Sequence, residues 1–123
     1  MRLKHVSFCT RNANKLIMFY QLLGAILEKD AHHPEERLRR VVLRIGEGRL
    51  QFFESQEYPV IHFGSWLDHI AIELPHFDVY LQALADNNVH HSPEIKISRS
   101  GRRMCFINDP DGRQVELLEG LSD

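Results

Sequence analysis

A chain of 123 residues that is 43% hydrophobic and 26% charged has the length and composition of one globular domain, not of a disordered segment. Its formal net charge of −2, with no block rich in Lys and Arg, predicts that nucleic acid is not a partner. No apolar run has the length of a membrane span and no signal-like stretch follows the N-terminus, so we expect a cytoplasmic protein that binds no membrane.

The first half of the chain is predicted to form one β-α-β-β-β unit. An alternating strand is expected over residues 3–10 and an amphipathic helix over 13–23, with Asn12 as its N-cap and Gly24 just past its end. Three further strands are predicted, near 26–30, 37–45 and 49–55.

The second half has the same predicted order. A strand is expected over 68–74, and a helix over 77–86 that ends at Asn87-Asn88. The remaining strands are predicted near 89–91, 94–98, 102–108 and 113–119. The order is again β-α-β-β-β if 89–98 is one interrupted strand.

The two halves also match residue by residue. HVSFCTRNANKLIMFYQLLGA begins at His5, and HIAIELPHFDVYLQALADNNV, with the same layout, begins at His69, which is 64 residues later. The strands LQFFE and VELLE align Gln51 with Glu116 at an offset of 65 residues. Offsets that agree to within one residue indicate a duplicated unit with a single insertion. We therefore predict two modules, 1–60 and 67–123, within one domain.

Each helix is expected to cover one face of its sheet and to leave the other face free. The apolar stripe of the first helix includes Leu16 and Tyr20. Because side chains alternate along a strand, Phe8 shares the covered face, while His5 lies on the uncovered face and His69 does the same in the second module. If the two sheets lie side by side and curl, their uncovered faces line one cleft.

Four residues paired by the repeat can converge in such a cleft: His5, Gln51, His69 and Glu116. Two imidazoles, a carboxylate and an amide oxygen suit Zn, Ni, Co, Mn or Fe in a site that keeps positions open for substrate. Glu54 is expected on the opposite, solvent-facing side of its strand. It is the reserve metal candidate, because a register slip of one residue would exchange it with Gln51.

Aromatic residues are candidates for the wall of the cleft, although large aromatic side chains are more often part of the core. The candidates for pocket lining are Phe53, Trp66 and Phe106. The pairs His32-His33 and His90-His91 are expected in solvated loops and not in a second metal site.

The segments HVSF, FYQLLGA, LDHIAIEL and INDPDGRQVELLEG resemble the vicinal oxygen chelate superfamily, which includes glyoxalase I, bleomycin-resistance proteins and extradiol dioxygenases. The resemblance covers nearly the whole chain. It implies an α+β fold in which two βαβββ modules pair into an incomplete eight-stranded barrel around a divalent metal in a central cleft. The ligand places on the first and last strands match His5, Gln51, His69 and Glu116. The resemblance also implies a homodimer, in which a cleft can combine modules of two chains.

The reactions of the resembling enzymes fit the chain unequally. Glyoxalase I has a Glu where this chain has Gln51, and an amide cannot transfer a proton, so Glu116 is the predicted catalytic residue. The ligand set is more similar to that of methylmalonyl-CoA epimerase, but strand 37–45 has no carboxylate to act as a second acid or base. An extradiol dioxygenase would need only His5, His69 and Glu116 on Fe(II). The additional residues of fosfomycin resistance enzymes are not found.

The sequence thus predicts a divalent-metal-dependent enzyme of this superfamily, with lyase or isomerase-type chemistry on a small oxygenated or thiol-conjugated substrate. Two alternatives stay open. One is a metal-free protein that binds small molecules or drugs, as in the bleomycin-resistance branch, and the other is an extradiol-type dioxygenase.

Overall fold

The structure is a computed structural model that describes residues 1–59, 69–92 and 94–120. The chain divides into two compact units, residues 1–61 and 62–123. Among the described residues, each unit has one α-helix and one four-stranded sheet in the order β-α-β-β-β. This confirms the two predicted βαβββ modules. No helix in the described ranges is long and apolar enough to cross a membrane.

The first unit places its helix between the first two strands. Its elements are β1 (Val6–Thr10), α1 (Ala13–Leu22), β2 (Ile26–His33), a 3-10 helix (Pro34–Glu36), β3 (Leu38–Ile45) and β4 (Gly48–Glu54). The sheet order is β1-β4-β3-β2, with β1 parallel to β4 and the other pairs antiparallel. Asn12 caps α1 as predicted, since its Oδ1 accepts the Lys15 N–H at 3.1 Å.

The second unit has the same topology with a shorter edge strand. Its elements are β5 (His69–Leu74), α2 (Phe77–Asp86), β6 (Lys96–Ile97), β7 (Arg103–Asn108) and β8 (Gln114–Glu119). The sheet order is β5-β8-β7-β6, with β5 parallel to β8.

The strand predicted over 89–91 is wrong, because residues 89–92 form no strand, and the strand predicted over 94–98 is reduced to the two residues of β6. Ser92 explains the difference. Its N–H donates to the Phe106 carbonyl at 2.8 Å, but its hydroxyl, not its carbonyl, accepts the Phe106 N–H at 3.2 Å. The side chain thus replaces the backbone acceptor, and Pro93, next in the sequence, has no N–H to continue a ladder.

Strand register places the repeated residues at equivalent positions. In the parallel pair of β1 and β4, Ser7 lies opposite Gln51. In the parallel pair of β5 and β8, Ala71 lies opposite Glu116. These registers agree with the offsets of 64 and 65 residues between the two halves.

The core of each unit lies between its helix and its sheet. In the first unit Leu16, Tyr20 and Phe52 are fully buried, and the Tyr20 and Phe52 rings stack with centroids 5.8 Å apart. In the second unit Leu84 and Leu117 are buried in the same way. We call the opposite surface of each sheet its helix-free face. It carries His5, Ser7, Arg40, Gln51 and Phe53 in the first unit and His69, Met104, Phe106 and Glu116 in the second.

Candidate functional site

Four polar side chains meet on the helix-free face of the first unit. Gln51 is only 5% exposed. Its Nε2 lies 3.0 Å from Ser7 Oγ and 3.3 Å from His5 Nε2. Its Oε1 accepts a hydrogen bond from Arg40 Nε at 2.6 Å. The structure therefore brings the predicted residues His5 and Gln51 together and adds Ser7 and Arg40 to them.

Strand register explains this cluster. Ser7 lies directly opposite Gln51 across the parallel pair. Arg40 lies opposite Phe53, one pleat further along β4, and its long side chain reaches Gln51 diagonally. The alternation of RLRRVVLRI places Arg40 on the same face as Val42, the cross-strand neighbour of Gln51. That signal could have identified Arg40 from the sequence.

The second unit brings its own two predicted residues together. His69 Nε2 lies 3.8 Å from Glu116 Oε1, and both side chains are partly exposed. The Phe106 ring stands edge-on to the His69 ring, with centroids 5.7 Å apart and an interplanar angle of 89°. Phe106 lies opposite Glu116 in the antiparallel pair of β7 and β8, so the aromatic ring borders both members of the pair.

A cavity of about 300 Å³ lies beside Phe106 in the second unit, at the lower end of the range for small-molecule sites. Its lining residues are Ser92, Glu94, Lys96, Met104, Cys105 and Phe106. Burial raises the pKa of the Cys105 thiol to about 11, so this thiol is neutral near pH 7 and contributes to an apolar wall. The cavity could therefore hold a small molecule with both apolar and charged parts.

Glu54, the reserve candidate, lies on the helix-covered face and does not meet His5 or Gln51. Its Oε2 accepts the Ala13 N–H at 2.6 Å, at the start of α1. The expectation that Glu54 faces solvent is corrected here, because the free N–H groups at a helix N-terminus attract a carboxylate. Phe53 is half-buried on the helix-free face and is not among the residues that line the cavity beside Phe106. Trp66 lies outside the described residues.

The two donor atoms of the second unit meet a simple distance test for a shared ion, and those of the first unit do not meet it as they stand. Two donors that lie about 2.0–2.2 Å from one metal ion are no more than about 4.4 Å apart. The distance from His69 Nε2 to Glu116 Oε1 is 3.8 Å and that from His5 Nε2 to Gln51 Nε2 is 3.3 Å. Gln51 fits this role only with its amide reversed, since its oxygen faces Arg40. In neither unit do three His, Cys, Asp or Glu side chains of the described residues form a metal-binding group.

Known proteins with the same arrangement of elements include several glyoxalases. The chain is similar to a glyoxalase family protein from Enterococcus faecalis at 26% identity, over 96% of this chain and 97% of that chain, with a TM-score of 0.78. It is similar to the trypanothione-dependent glyoxalase I of Leishmania major at 25% identity, over 97% of this chain and 86% of that chain, with a TM-score of 0.77.

The fosfomycin resistance protein FosX from Listeria monocytogenes, in complex with Mn(II) and a sulfate ion, has the same fold at 18% identity. The match covers 98% of this chain and 93% of that chain, with a TM-score of 0.77. The sequence signature of one superfamily matches residues 2–117, a range that includes the elements of the first module and those of the second as far as Leu117 in β8. The chain therefore belongs to the Glyoxalase/Bleomycin resistance protein/Dioxygenase superfamily.

Proposed function

We propose that this protein is a divalent-metal-dependent enzyme with lyase or isomerase-type chemistry on a small oxygenated or thiol-conjugated substrate. One observation carries the proposal. Two pairs of potential donors, His5 with Gln51 and His69 with Glu116, occupy equivalent positions on the helix-free faces of two duplicated units. A structural role alone gives no reason for an imidazole to recur beside an amide or carboxylate at the same place in each unit.

Each residue has a definite part in this proposal. His5, His69 and Glu116 hold Zn, Ni, Co, Mn or Fe, and Gln51 is the fourth candidate ligand. When bound, such an ion polarises neighbouring substrate oxygens and stabilises the negative charge that develops on them. Glu116 is the carboxylate of the set and therefore the proposed catalytic residue. The cavity beside Phe106 receives the rest of the substrate.

The proposal includes a homodimer in the cytoplasm, with the metal ligands taken either from one chain or from modules of two chains. Small molecules are its proposed ligands.

The metal content of the purified protein tests the proposal directly. After dialysis against metal-free buffer and reloading, elemental mass spectrometry is expected to find about one ion per chain in the wild type and none in the double variant His5→Ala, His69→Ala. The matched control is His32→Ala, His33→Ala, which removes two exposed imidazoles of β2 and should keep the ion. A wild type without saturable metal binding would contradict the proposal.

A metal-free small-molecule binder is the second candidate, and a specific contact favours it. The amide nitrogen of Gln51 is directed at His5 Nε2, the atom that a metal would need. The Glu116→Gln variant separates the two functions. An enzyme should lose turnover with this change, whereas a binding protein should keep its ligand affinity. The extradiol-type alternative uses His5, His69 and Glu116, and it requires Fe(II) as the ion found in the metal analysis.

A further inference from the structure

We propose that Arg40 is a positioning residue that holds the Gln51 oxygen away from His5 and so keeps Gln51 out of the ligand set of the proposed metal. The inference rests on the proposed function and concerns the same site. It is carried by the contacts among Arg40, Gln51, Ser7 and His5, all of which lie in the first unit.

Arg40 determines which way the Gln51 amide points. A guanidinium group can only donate hydrogen bonds, so the Gln51 atom 2.6 Å from Arg40 Nε must be the carbonyl oxygen. The Ser7 hydroxyl, 3.0 Å from Gln51 Nε2, could donate or accept and would tolerate either orientation. Arg40 is thus the contact that excludes the reversed amide.

The orientation of the Gln51 amide determines which ring nitrogen of His5 carries the proton. Because Gln51 directs an N–H at His5 Nε2 across 3.3 Å, that ring nitrogen must accept, and the proton of the neutral ring must sit on Nδ1. The Nε2 lone pair is the one that a metal would use. A metal that binds His5 must therefore displace the Gln51 N–H, and the Gln51 oxygen could join it only by breaking its hydrogen bond to Arg40.

Arg40 also differs from its neighbours in the same strand. Arg39 is paired with Asp30 at 2.9 Å, and Arg44 with Glu28 at 3.1 Å. In the part of the chain that the structure describes, no carboxylate pairs with Arg40, whose contact is the neutral amide of Gln51. An uncompensated positive charge beside the site opposes the approach of a second cation, which adds to the effect on metal affinity.

Calorimetric titration of the metal-free protein with Co²⁺ tests the inference. The Arg40→Met variant is expected to bind Co²⁺ about tenfold more tightly, which corresponds to about 1.4 kcal/mol. Gln51→Ala in the wild type should change the dissociation constant by less than about threefold. In the Arg40→Met background, Gln51→Ala should remove most of the gain, because the released amide oxygen would be the added ligand. The part that remains is the effect of the lost positive charge.

Controls separate positioning from a general effect on the fold. Arg44→Met removes a paired arginine of the same strand and should leave the affinity unchanged, while Arg40→Lys keeps a donor and a charge and should stay near the wild type. Thermal unfolding checks that each variant is folded. If Arg40 had a purely structural role, Arg40→Met would bind Co²⁺ more weakly and not more tightly. A separate NMR measurement tests the state of His5: the ¹⁵N chemical shifts of its ring in the metal-free protein should show the proton on Nδ1.

The failures of the two proposals look different. Co²⁺ binding that survives His5→Ala, His69→Ala, or that is absent from the wild type, would overturn the proposed function. Binding that depends on both histidines, but is unchanged in Arg40→Met or about tenfold weaker in Gln51→Ala alone, would overturn the role of Arg40 and leave the metal site standing.

Discussion

Glu54 and Gln51 lie three residues apart on β4 and serve different purposes because of strand alternation. Gln51 lies on the helix-free face next to His5, whereas Glu54 accepts the Ala13 N–H at 2.6 Å on the covered face. The contact joins residues 41 positions apart, so Glu54 fastens the start of α1 to the end of the sheet. A carboxylate here complements the positive end of the helix dipole.

Replacing this carboxylate should cost stability without affecting the proposed metal site. We expect Glu54→Gln to lower the free energy of unfolding by about 1 kcal/mol, the usual size of a helix N-terminal interaction. Urea denaturation monitored by circular dichroism measures the change. Glu47→Gln, in an exposed turn, is the matched control and should have little effect. Loss of metal from Glu54→Gln would contradict the role assigned to Glu54 and would make it a candidate ligand.

At the scale of elements, an arginine at an equivalent position ties each helix to its sheet. Arg103 donates from Nη1 to Asp78 at the start of α2 at 3.1 Å and from Nη2 to Glu119 at the end of β8 at 2.8 Å. Arg39 donates to Asn14 at the start of α1 at 2.8 Å. At the start of its helix the second unit thus has the carboxylate of Asp78 where the first unit has the amide of Asn14. The contact between Arg103 and α2 should therefore depend more strongly on pH than the contact between Arg39 and α1.

Acid should weaken the contacts of Arg103 with Asp78 and Glu119. Hydrogen bonds from Arg103 hold the pKa values of Asp78 and Glu119 below their ordinary values of 3.8 and 4.5. Carboxylates with lowered pKa values stabilise the fold above their unfolded pKa, and this contribution is lost as the pH falls through the folded values. We expect Arg103→Met to lose less stability than the wild type between pH 7 and pH 3, measured by urea denaturation at each pH.

The control for this measurement is Arg99→Met, which changes an exposed arginine in the turn before β7. It should lose as much stability on acidification as the wild type does. Equal losses in Arg103→Met and the wild type would mean that Asp78 and Glu119 do not contribute to the acid sensitivity.

At the scale of the whole molecule, each duplicated unit holds two candidate ligands, fewer than the three or four protein ligands that most metal sites use. The proposed site is therefore complete only if donors of both modules bind the same ion. An ion that binds the folded state alone raises its stability by mass action.

Saturating metal should raise the thermal unfolding temperature of the wild type, with about 2.7 kcal/mol of added stability at a free concentration of 100 times the dissociation constant. His5→Ala and His69→Ala should each abolish the shift if one ion takes ligands from both modules. Differential scanning fluorimetry with and without metal measures it. Half of the shift remaining in each single variant would instead indicate two independent ions.

Local patterns in the sequence were sufficient for both helices, for the strands other than that between α2 and β7, and for the faces of the candidate residues. The helix predicted over 77–86 corresponds to Phe77–Asp86, and that predicted over 13–23 to Ala13–Leu22. The repeat and the alternation of strand residues predicted that His5 and Gln51 share a face, as do His69 and Glu116. The period of about 3.6 residues in a helix and that of 2 residues in a strand arise from backbone geometry within a few residues, so they can be recognised without knowledge of the fold.

Contacts between distant residues were decided by tertiary structure. The sequence could not show that Ser92 would replace a strand over 89–91, that Glu54 would accept the N–H of Ala13, or that Arg40 would take the oxygen of Gln51. Each of these three contacts depends on strand register and on the rotamer of a long or hydroxyl-bearing side chain. Residues distant in the sequence determine which rotamer is favoured. The sequence by itself determined the repeated modules and the faces on which the proposed metal ligands lie. The tertiary structure determined which hydrogen bonds those residues already make, and hence how freely each of them can act as a ligand.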